Sequence, residues 1–124
     1  MTSTSDPLQH ALSVVGDRWS PALVAALLDG PRRYGELQER LGGIAPNVLS
    51  ARLRRLEREG LVVARPYSER PLRYAYEATE AARELEGALR LLADWGERHA
   101  RGFSPAPADA EPDLAAEDDE LLFA

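Results

Sequence analysis

The sequence predicts one mainly α-helical domain that carries a single β-hairpin. Apolar residues recur at helical spacing up to about residue 59, alternate at a spacing of two between about residues 61 and 78, and return to helical spacing afterwards. The chain has 124 residues. Since a domain typically has about 100–200 residues, this length accommodates one domain.

Two helices are predicted in the first thirty residues. PLQHALSVVG places leucine and valine at helical spacing, with Asp6 as N-cap and Pro7 at the first helical position. After the break GDRW, SPALVAALLDG repeats the pattern, with Ser20 as N-cap and Gly30 at the end.

The remaining elements define the fold class. A short helix is predicted from about Tyr34 to Leu41 and a longer one from Pro46 to about Glu59. LVVARPY and LRYAYEA then form a β-hairpin around the turn SERP, and Thr79 caps one last helix. Two helices joined by a glycine-containing turn, with a hairpin directly after the second, are typical of a winged helix-turn-helix.

The charge is distributed unevenly along the chain. All fifteen basic residues are arginine, and the net charge is −6. Residues 32–73 hold ten arginines against five acids, whereas residues 103–124 hold seven acids and no base. We therefore expect residues 6–102 to form the domain and residues 103–124 to be an acidic, disordered tail. A basic middle segment indicates a polyanionic partner.

Several classes of function are excluded by composition. The chain has no cysteine, which excludes disulfides, cysteine-ligated zinc, iron–sulfur clusters and thiol redox sensing. The acids show no metal-ligand spacing, no glycine-rich phosphate loop is present, and His10 and His99 are expected as polar residues on helices. We expect no enzyme activity and no cofactor. No apolar run approaches the roughly 20 residues of a membrane span, so we expect a cytoplasmic protein without a membrane partner.

The helix from Pro46 to Glu59 has the composition of a helix that reads the DNA major groove. At about 100° per residue, Leu49, Leu53 and Leu56 share one face, which we expect to be buried. The opposite face carries short hydrogen-bonding side chains and arginines: Asn47, Ser50, Ala51, Arg54 and Arg58. The alternative is a surface helix rich in arginine and glutamate for solubility.

Further arginines are candidate contacts to the DNA backbone. Arg70 and Arg73 lie at the hairpin tip, from which they can enter a minor groove or bind phosphates, although an ordinary polar turn is the alternative. The flanks and the first helix of the pair supply four more candidate phosphate contacts: Arg32, Arg33, Arg52 and Arg55.

The chain resembles the HxlR-type winged helix-turn-helix transcriptional regulators, a branch akin to the MarR-like regulators. The resemblance covers about residues 6–101. It rests on four motifs: G-x-[RK]-W at Gly16–Trp19, GPRRY-x-EL at Gly30–Leu37, I-x-P-x-V-L-S-x-R-L-x-x-L-E-x-x-G-L at Ile44–Leu61, and Y-x-E-x-P-x-R-x-x-Y at Tyr67–Tyr76.

This resemblance implies a sequence-specific, double-stranded DNA-binding regulator that acts as a homodimer on a palindromic operator. We expect a repressor, with an activator as the alternative, because the position of the operator relative to a promoter decides between them and no residue encodes it. The resemblance implies a dimer built from the first and last helices, for which the apolar candidates are Leu8, Leu12, Leu85, Leu89, Leu92 and Trp95. Two positions depart from the family pattern. Asp6 replaces a cysteine that many relatives carry, and Ala45 replaces a serine N-cap, at a cost of about 1 kcal/mol.

Three further hypotheses remain open from the sequence. A winged helix that binds proteins without specific DNA binding is the alternative function. An unidentified small-molecule effector is a candidate partner, with Trp19, Tyr34 or Trp95 near its pocket, although these aromatics also fit a core or interface. Residues 109–120 are hypothesised to compete with DNA for the basic surface.

Overall fold

The computed structural model describes residues 6–100, and within this range the chain folds into helices around one small sheet. The elements follow in chain order: α1 Pro7–Val15, α2 Trp19–Leu28, β1 Arg32–Arg33, α3 Tyr34–Arg40, α4 Pro46–Arg58, β2 Val62–Glu69, β3 Leu72–Ala78, α5 Glu80–Arg83 and α6 Glu86–Arg98. The predicted fold class, mainly helical with a β-hairpin in a winged helix-turn-helix, is confirmed. The acidic residues 103–124 lie outside the described range.

The first helix begins as predicted, but the second does not. The Asp6 carboxylate accepts hydrogen bonds from the backbone N–H groups of Leu8 and Gln9, as an N-cap does. The prediction that Ser20 caps α2 is wrong, because the helix already begins at Trp19 and Ser20 lies buried inside it. The acceptor is Asp17, whose carboxylate is 3.0 Å from the backbone nitrogens of Trp19 and Ser20.

The sheet contains one strand that the sequence did not predict. β1 pairs with β3 on the side opposite β2, which gives the antiparallel order β1–β3–β2. A strand of two residues is too short to show a periodicity in the sequence. The β2–β3 hairpin was predicted, but its strands extend further, with Glu69 opposite Leu72, and the ladder shifts register between Pro66 and Ser68.

The last predicted helix is divided into two. Thr79 is the N-cap as expected, and its hydroxyl accepts a hydrogen bond from the Ala82 N–H. The chain leaves the helix after Arg83 and re-enters it at Glu86. This break separates α5, which contributes the buried Ala82 to the core, from α6, which has no buried residue.

The core lies between α2, α3, α4 and the base of the hairpin. Six leucines from the three helices are almost fully buried: Leu23, Leu27, Leu37, Leu49, Leu53 and Leu56. Val62 and Ala78, which are paired in the register, bring the start of β2 and the end of β3 into the same cluster. The leucines predicted on one face of α4 therefore fix this helix on the core.

A buried ion pair fixes the rotation of α4. The Arg52 side chain is 3% exposed, and its Nε donates to Asp17 at 2.9 Å. The prediction that Arg52 contacts phosphate is therefore corrected, because this guanidinium is inside the protein. The neighbouring flank residue Arg55 is also used internally, since it donates to the Ser13 carbonyl oxygen.

The Asp17 carboxyl is held in its charged form. Burial raises its pKa, but hydrogen bonds from Ser20 and Arg52 and the charge of Arg52 outweigh burial and lower the pKa below its ordinary value. One carboxylate thus caps α2 and holds α4, so the two helices are joined through a single group.

The wing is joined to the end of α4 at Gly60. Gly60 has φ +80°, and the Leu61 N–H donates to the Leu56 carbonyl at 2.9 Å, which is a Schellman ending. The Thr79 hydroxyl then donates to the Gly60 carbonyl at 2.6 Å. Because Thr79 follows β3 directly, this bond connects the base of the hairpin to the last turn of α4.

No single helix among residues 6–100 has the length and apolar composition needed to cross a membrane. Helices α1 and α2 have this length and apolar composition only when they are taken together, and an 81° bend separates them. In the same range, no cluster of three or more His, Asp or Glu side chains has the arrangement of a metal site.

We expect Asp17→Asn to lower the free energy of unfolding by about 3 kcal/mol or more, because it leaves the Arg52 charge buried without its partner. Asparagine keeps an oxygen that accepts the α2 N–H groups, so the variant tests charge more than capping. Urea unfolding followed by circular dichroism measures the change. Asp29→Asn is the matched control, because the Asp29–Arg40 pair is exposed and should contribute less than about 1 kcal/mol.

The double variant Asp17→Asn/Arg52→Met should recover most of the stability lost in Asp17→Asn, since it removes the buried charge as well. If the double variant is as unstable as the sum of the two single variants, the two side chains act independently and the ion pair does not stabilise the fold.

The same pair predicts a pH dependence. The folded-state pKa of Asp17 is depressed, so its contribution is fully present above the unfolded-state value of about 3.9 and is lost as pH falls through the folded-state value. We expect the free energy of unfolding of the parent to decline below about pH 4 more steeply than that of Asp17→Asn. Parallel profiles for the two proteins between pH 2 and 6 would contradict this assignment.

Candidate nucleic-acid interface

The outward face of α4 carries side chains that are free to contact another molecule. Asn47, Arg54 and Arg58 are exposed, and Ala51 beside them is half-buried. Among residues 6–100, neither Arg54 nor Arg58 has an acidic partner within 4.0 Å. Four of the five predicted reading residues therefore share an open face with uncompensated positive charge.

The fifth predicted reading residue, Ser50, lies nearer the protein. It is half-buried, and its hydroxyl is 3.2 Å from the hydroxyl of Tyr34. The Tyr34 hydroxyl donates to the Pro46 carbonyl at 2.9 Å, so the Ser50 hydroxyl can donate to Tyr34 in turn. These bonds fix the first turns of α4 against the start of α3.

The beginning of α4 keeps backbone donors available. The N-cap Ala45 has no side chain to accept from the first turn, as the sequence indicated. Backbone N–H groups at a helix N-terminus favour an anion, because they point along the positive end of the helix dipole. This end of α4 is therefore suited to a phosphate, although it lacks the extra ligand that a serine cap supplies.

The wing and α3 enclose an open cleft of about 750 Å³ beside α4. Leu72, Tyr74 and Tyr76 alternate along β3 and so point to one side of the sheet. The lining combines aromatic rings with both signs of charge: Arg33, Tyr34, Glu36, Gln38, Tyr67, Arg73, Tyr74 and Tyr76. Burial raises the pKa of Tyr76, as do the charge of Glu57 on α4 and the neighbouring Tyr34, while Arg54 opposes them. Tyr76 is therefore within electrostatic range of both α3 and α4.

Tyr67 joins two arginines in this cleft. It occupies the register shift of β2, and the Arg33 guanidinium lies over its ring at 5.7 Å from the centroid. Hydrogen bonds from the Arg33 guanidinium, and to a lesser extent from Arg73, lower the pKa of the Tyr67 phenol. Arg33, Tyr67 and Arg73 therefore line the same cleft, with both guanidinium groups within electrostatic range of the phenol.

Glu36 moderates part of this charge. Its carboxylate accepts the Arg33 backbone N–H at 2.7 Å, and the Arg33 side chain at 3.4 Å. These bonds, the backbone one first, lower the pKa of Glu36. Arg33 itself remains exposed, as a predicted phosphate contact must be.

The other predicted arginines divide into free and internally bonded groups. At the wing tip, Arg70 and Arg73 are exposed and have no acidic partner among the described residues, and Ser68 closes the turn by donating to Pro71 at 2.8 Å. Arg32 instead donates through Nε to the Ala26 carbonyl at 2.8 Å and lies 3.5 Å from Asp29. The Arg32 bond ties β1 to α2, so this side chain has a structural use.

Exposed apolar side chains lie on both α1 and α6. They are Leu8, Leu12, Leu91, Leu92 and Trp95, with Trp95 stacked on His99 at 4.5 Å. Two residues predicted for the dimer interface, Leu85 and Leu89, are half-buried against the core of the same chain, and their contact with a second copy stays a prediction. The sequence could not separate the two sets, since they share one wide apolar stripe.

The aromatics predicted near an effector pocket lie in three different places. Trp19 is a core residue, 8% exposed, while Trp95 is exposed on α6. Only Tyr34 borders the cleft between α3 and the wing. Sequence reasoning missed Tyr67, although its place in the motif Y-x-E-x-P-x-R was a signal.

Comparison with known proteins gives one consistent result. Residues 14–102 match the model of a family described as HxlR-like helix-turn-helix. The HTH-type transcriptional regulator YdeP of Bacillus subtilis is 32% identical over 93 residues, which cover 75% of this chain and 73% of YdeP. The regulator Mb3122 of Mycobacterium bovis is 42% identical over 90 residues, covering 73% of this chain but 56% of the relative.

The architecture agrees with solved structures. The structure described as the redox regulator HypR in its oxidized form superposes with a TM-score of 0.72 and 31% identity, over 76% of this chain and 97% of HypR. The chain belongs to the HxlR-like family of helix-turn-helix transcriptional regulators.

Proposed function

We propose that this protein binds specific sites on double-stranded DNA as a homodimer and represses transcription from them, in the cytoplasm. The observation that carries the proposal is the set of exposed arginines on α4 and the wing that have no acidic partner among the described residues: Arg54, Arg58, Arg70 and Arg73. Four such guanidinium groups on one helix and the adjoining wing form a surface that attracts an anionic partner.

In this proposal α4 enters the major groove. Asn47 and Arg54 face base edges, where asparagine can pair with adenine and arginine with guanine, and Ala51 leaves room for a thymine methyl group. Arg58, one turn further along, reaches the backbone. Ser50 contributes by holding the helix start on Tyr34, and only secondarily by facing a base.

The cleft beside α4 then receives the sugar–phosphate backbone. Arg33 and Arg73 line this cleft together with Tyr67, and a phosphodiester bound there can accept a charge-assisted hydrogen bond from each guanidinium group. The wing tip extends beyond the cleft, so Arg70 can enter the adjoining minor groove. Arg33, Tyr67 and Arg73 contribute affinity and register, whereas Asn47 and Arg54 contribute sequence preference.

Dimerisation through an apolar face on α1 and α6 supplies the second reading helix. In this proposal an exposed tryptophan and four exposed leucines on the two helices form a patch of the kind that marks a protein interface. A two-fold axis through this face makes the operator palindromic, with half-sites about 34 Å apart or a multiple of that. Any signal that the protein senses does not pass through a thiol, because the chain has no cysteine.

We expect Arg54→Ala to weaken binding to a selected operator by about 1–3 kcal/mol, and binding to random duplex much less, because it removes a base contact. Operators are first selected from genomic fragments, and affinities are then measured by fluorescence anisotropy at several salt concentrations. Arg83→Ala is the matched control, since Arg83 is an equally exposed arginine on α5. An equal loss on both duplexes would make Arg54 a phosphate contact.

The salt series also separates the two candidate functions. A protein that neutralises Z phosphates gives a slope of about −0.9Z in log K against log salt concentration. A slope near zero for the parent would favour a module that binds another protein, and would overturn the proposal.

We expect Trp95→Glu to convert a dimer into a monomer, because a charge in the centre of an apolar interface is not compensated there. Analytical ultracentrifugation measures the mass, and circular dichroism checks that the fold is retained. Ala81→Glu, an exposed change on α5, is the control. A parent protein that is monomeric at micromolar concentration would contradict this assignment.

A further inference from the structure

The charges of the described fold balance, but they do not balance locally. Residues 6–100 contain 14 arginines and 14 acids. Around α4 and the wing, however, four exposed arginines have no acidic partner among the described residues: Arg54, Arg58, Arg70 and Arg73. A surface of this kind attracts any polyanion that can reach it, within about 8–10 Å at physiological salt.

The chain itself contains such a polyanion. Residues 103–124, here called the acidic segment, hold seven carboxylates and no base, and four of them are consecutive in the run Glu117–Glu120. These residues lie outside the range that the structure describes.

The acidic segment is long enough to reach the interface. Extended chain spans about 3.3–3.6 Å per residue, so the 17 residues from Ala100 to Glu117 can span more than 50 Å. A domain of about 100 residues has a radius of gyration of only about 13 Å. Every face of the domain is therefore within reach, and the covalent link gives the segment an effective concentration in the millimolar range.

We propose that the acidic segment occupies the arginine-rich face of α4 and the wing when DNA is absent, and that DNA must displace it. This inference rests on the proposed DNA-binding function and adds regulation to the same surface. The carboxylates contact the guanidinium groups of Arg54, Arg58 and Arg73, in place of backbone phosphates. Random-sequence contacts with DNA are penalised most, because they depend on these charges alone, so the segment raises the selectivity for a true operator.

The acidic segment also determines the net charge. Residues 6–100 are balanced, so the net charge of −6 comes from residues 101–124 and opposes the approach of DNA at long range wherever the segment lies. When the acidic segment contacts the arginines, the carboxylates and the guanidinium groups neutralise one another at short range. When DNA binds, the segment is released and phosphates take the place of its carboxylates.

The test compares two full-length variants that change net charge equally. The first neutralises the consecutive run through Glu117→Gln, Asp118→Asn, Asp119→Asn and Glu120→Gln. The second neutralises four exposed carboxylates of α5 and α6 through Glu80→Gln, Glu84→Gln, Glu86→Gln and Glu97→Gln. Affinity for a random-sequence 30-base-pair duplex is measured at 50 and 300 mM salt, and retention on a heparin column gives a reading without DNA.

We expect the first variant to bind the duplex about 3- to 10-fold more tightly than the parent at 50 mM salt, and the advantage to shrink to less than about 2-fold at 300 mM. The parent should show the shallower salt dependence, because part of the counterion release is replaced by release of its own segment. The second variant should remain within about 2-fold of the parent at both salt concentrations, since its carboxylates do not compete for the arginines.

Equal gains in the two variants would show an effect of net charge alone and would overturn the inference, as would no gain in the first. These results leave DNA binding by the parent intact. If instead the parent fails to bind duplex at either salt, the proposed function fails. Heparin retention then decides the inference separately, because equal elution of the two variants would show that the segment does not cover the arginines.

Discussion

The contact between Asp17 and Arg52 determines which side of α4 faces outward. Helix α4 carries four arginines and one glutamate, and a rotation of the helix by the angle of one residue, about 100°, would exchange its inner and outer charges. The buried bond at 2.9 Å, supported by the bond from Arg55 to the Ser13 carbonyl, fixes one flank against the α1–α2 connection. Arg54 and Arg58 are left facing outward. Arginines on α4 therefore have two roles. The more buried ones, Arg52 and Arg55, hold the helix in place, and the exposed ones, Arg54 and Arg58, face outward.

The wing depends on α4 in a similar way. The Schellman ending at Gly60 turns the chain from α4 into β2, and the bond from Thr79 to the Gly60 carbonyl connects the other end of the hairpin to the same point. Tyr34 holds the start of α4 while belonging to α3, which follows β1 directly. Because the helix is fixed at both ends by groups that also border the wing, the distance across the cleft is set by the fold.

Much of this architecture was accessible from the sequence, and the parts that were not have physical reasons. The spacing of Leu49, Leu53 and Leu56 predicted the buried face of α4, because helical periodicity reports burial directly. The same periodicity could not show that Arg52 is inside, since its partner Asp17 is 35 residues away. Strand β1 has only two residues, and Tyr67 faces Arg33 because the strand shifts register beside it. These three features depend on contacts between segments that are far apart in the sequence, and a local pattern of residues does not report such contacts.

The rigidity of α4 also bears on how a dimer selects its operator. Two reading helices discriminate by half-site spacing only if each keeps its orientation relative to the dimer axis. The proposed dimer face on α1 and α6 is linked to α4 through the Asp17 connection on one side, and through the contact of α6 with α2 on the other. If α4 could rotate freely, it would adapt to a wrongly spaced half-site with little loss of binding free energy, and the dimer would no longer discriminate by spacing. In the proposed dimer the buried ion pair would contribute to specificity as well as to stability, because the free energy that holds α4 in place is the free energy that a wrongly spaced operator must overcome.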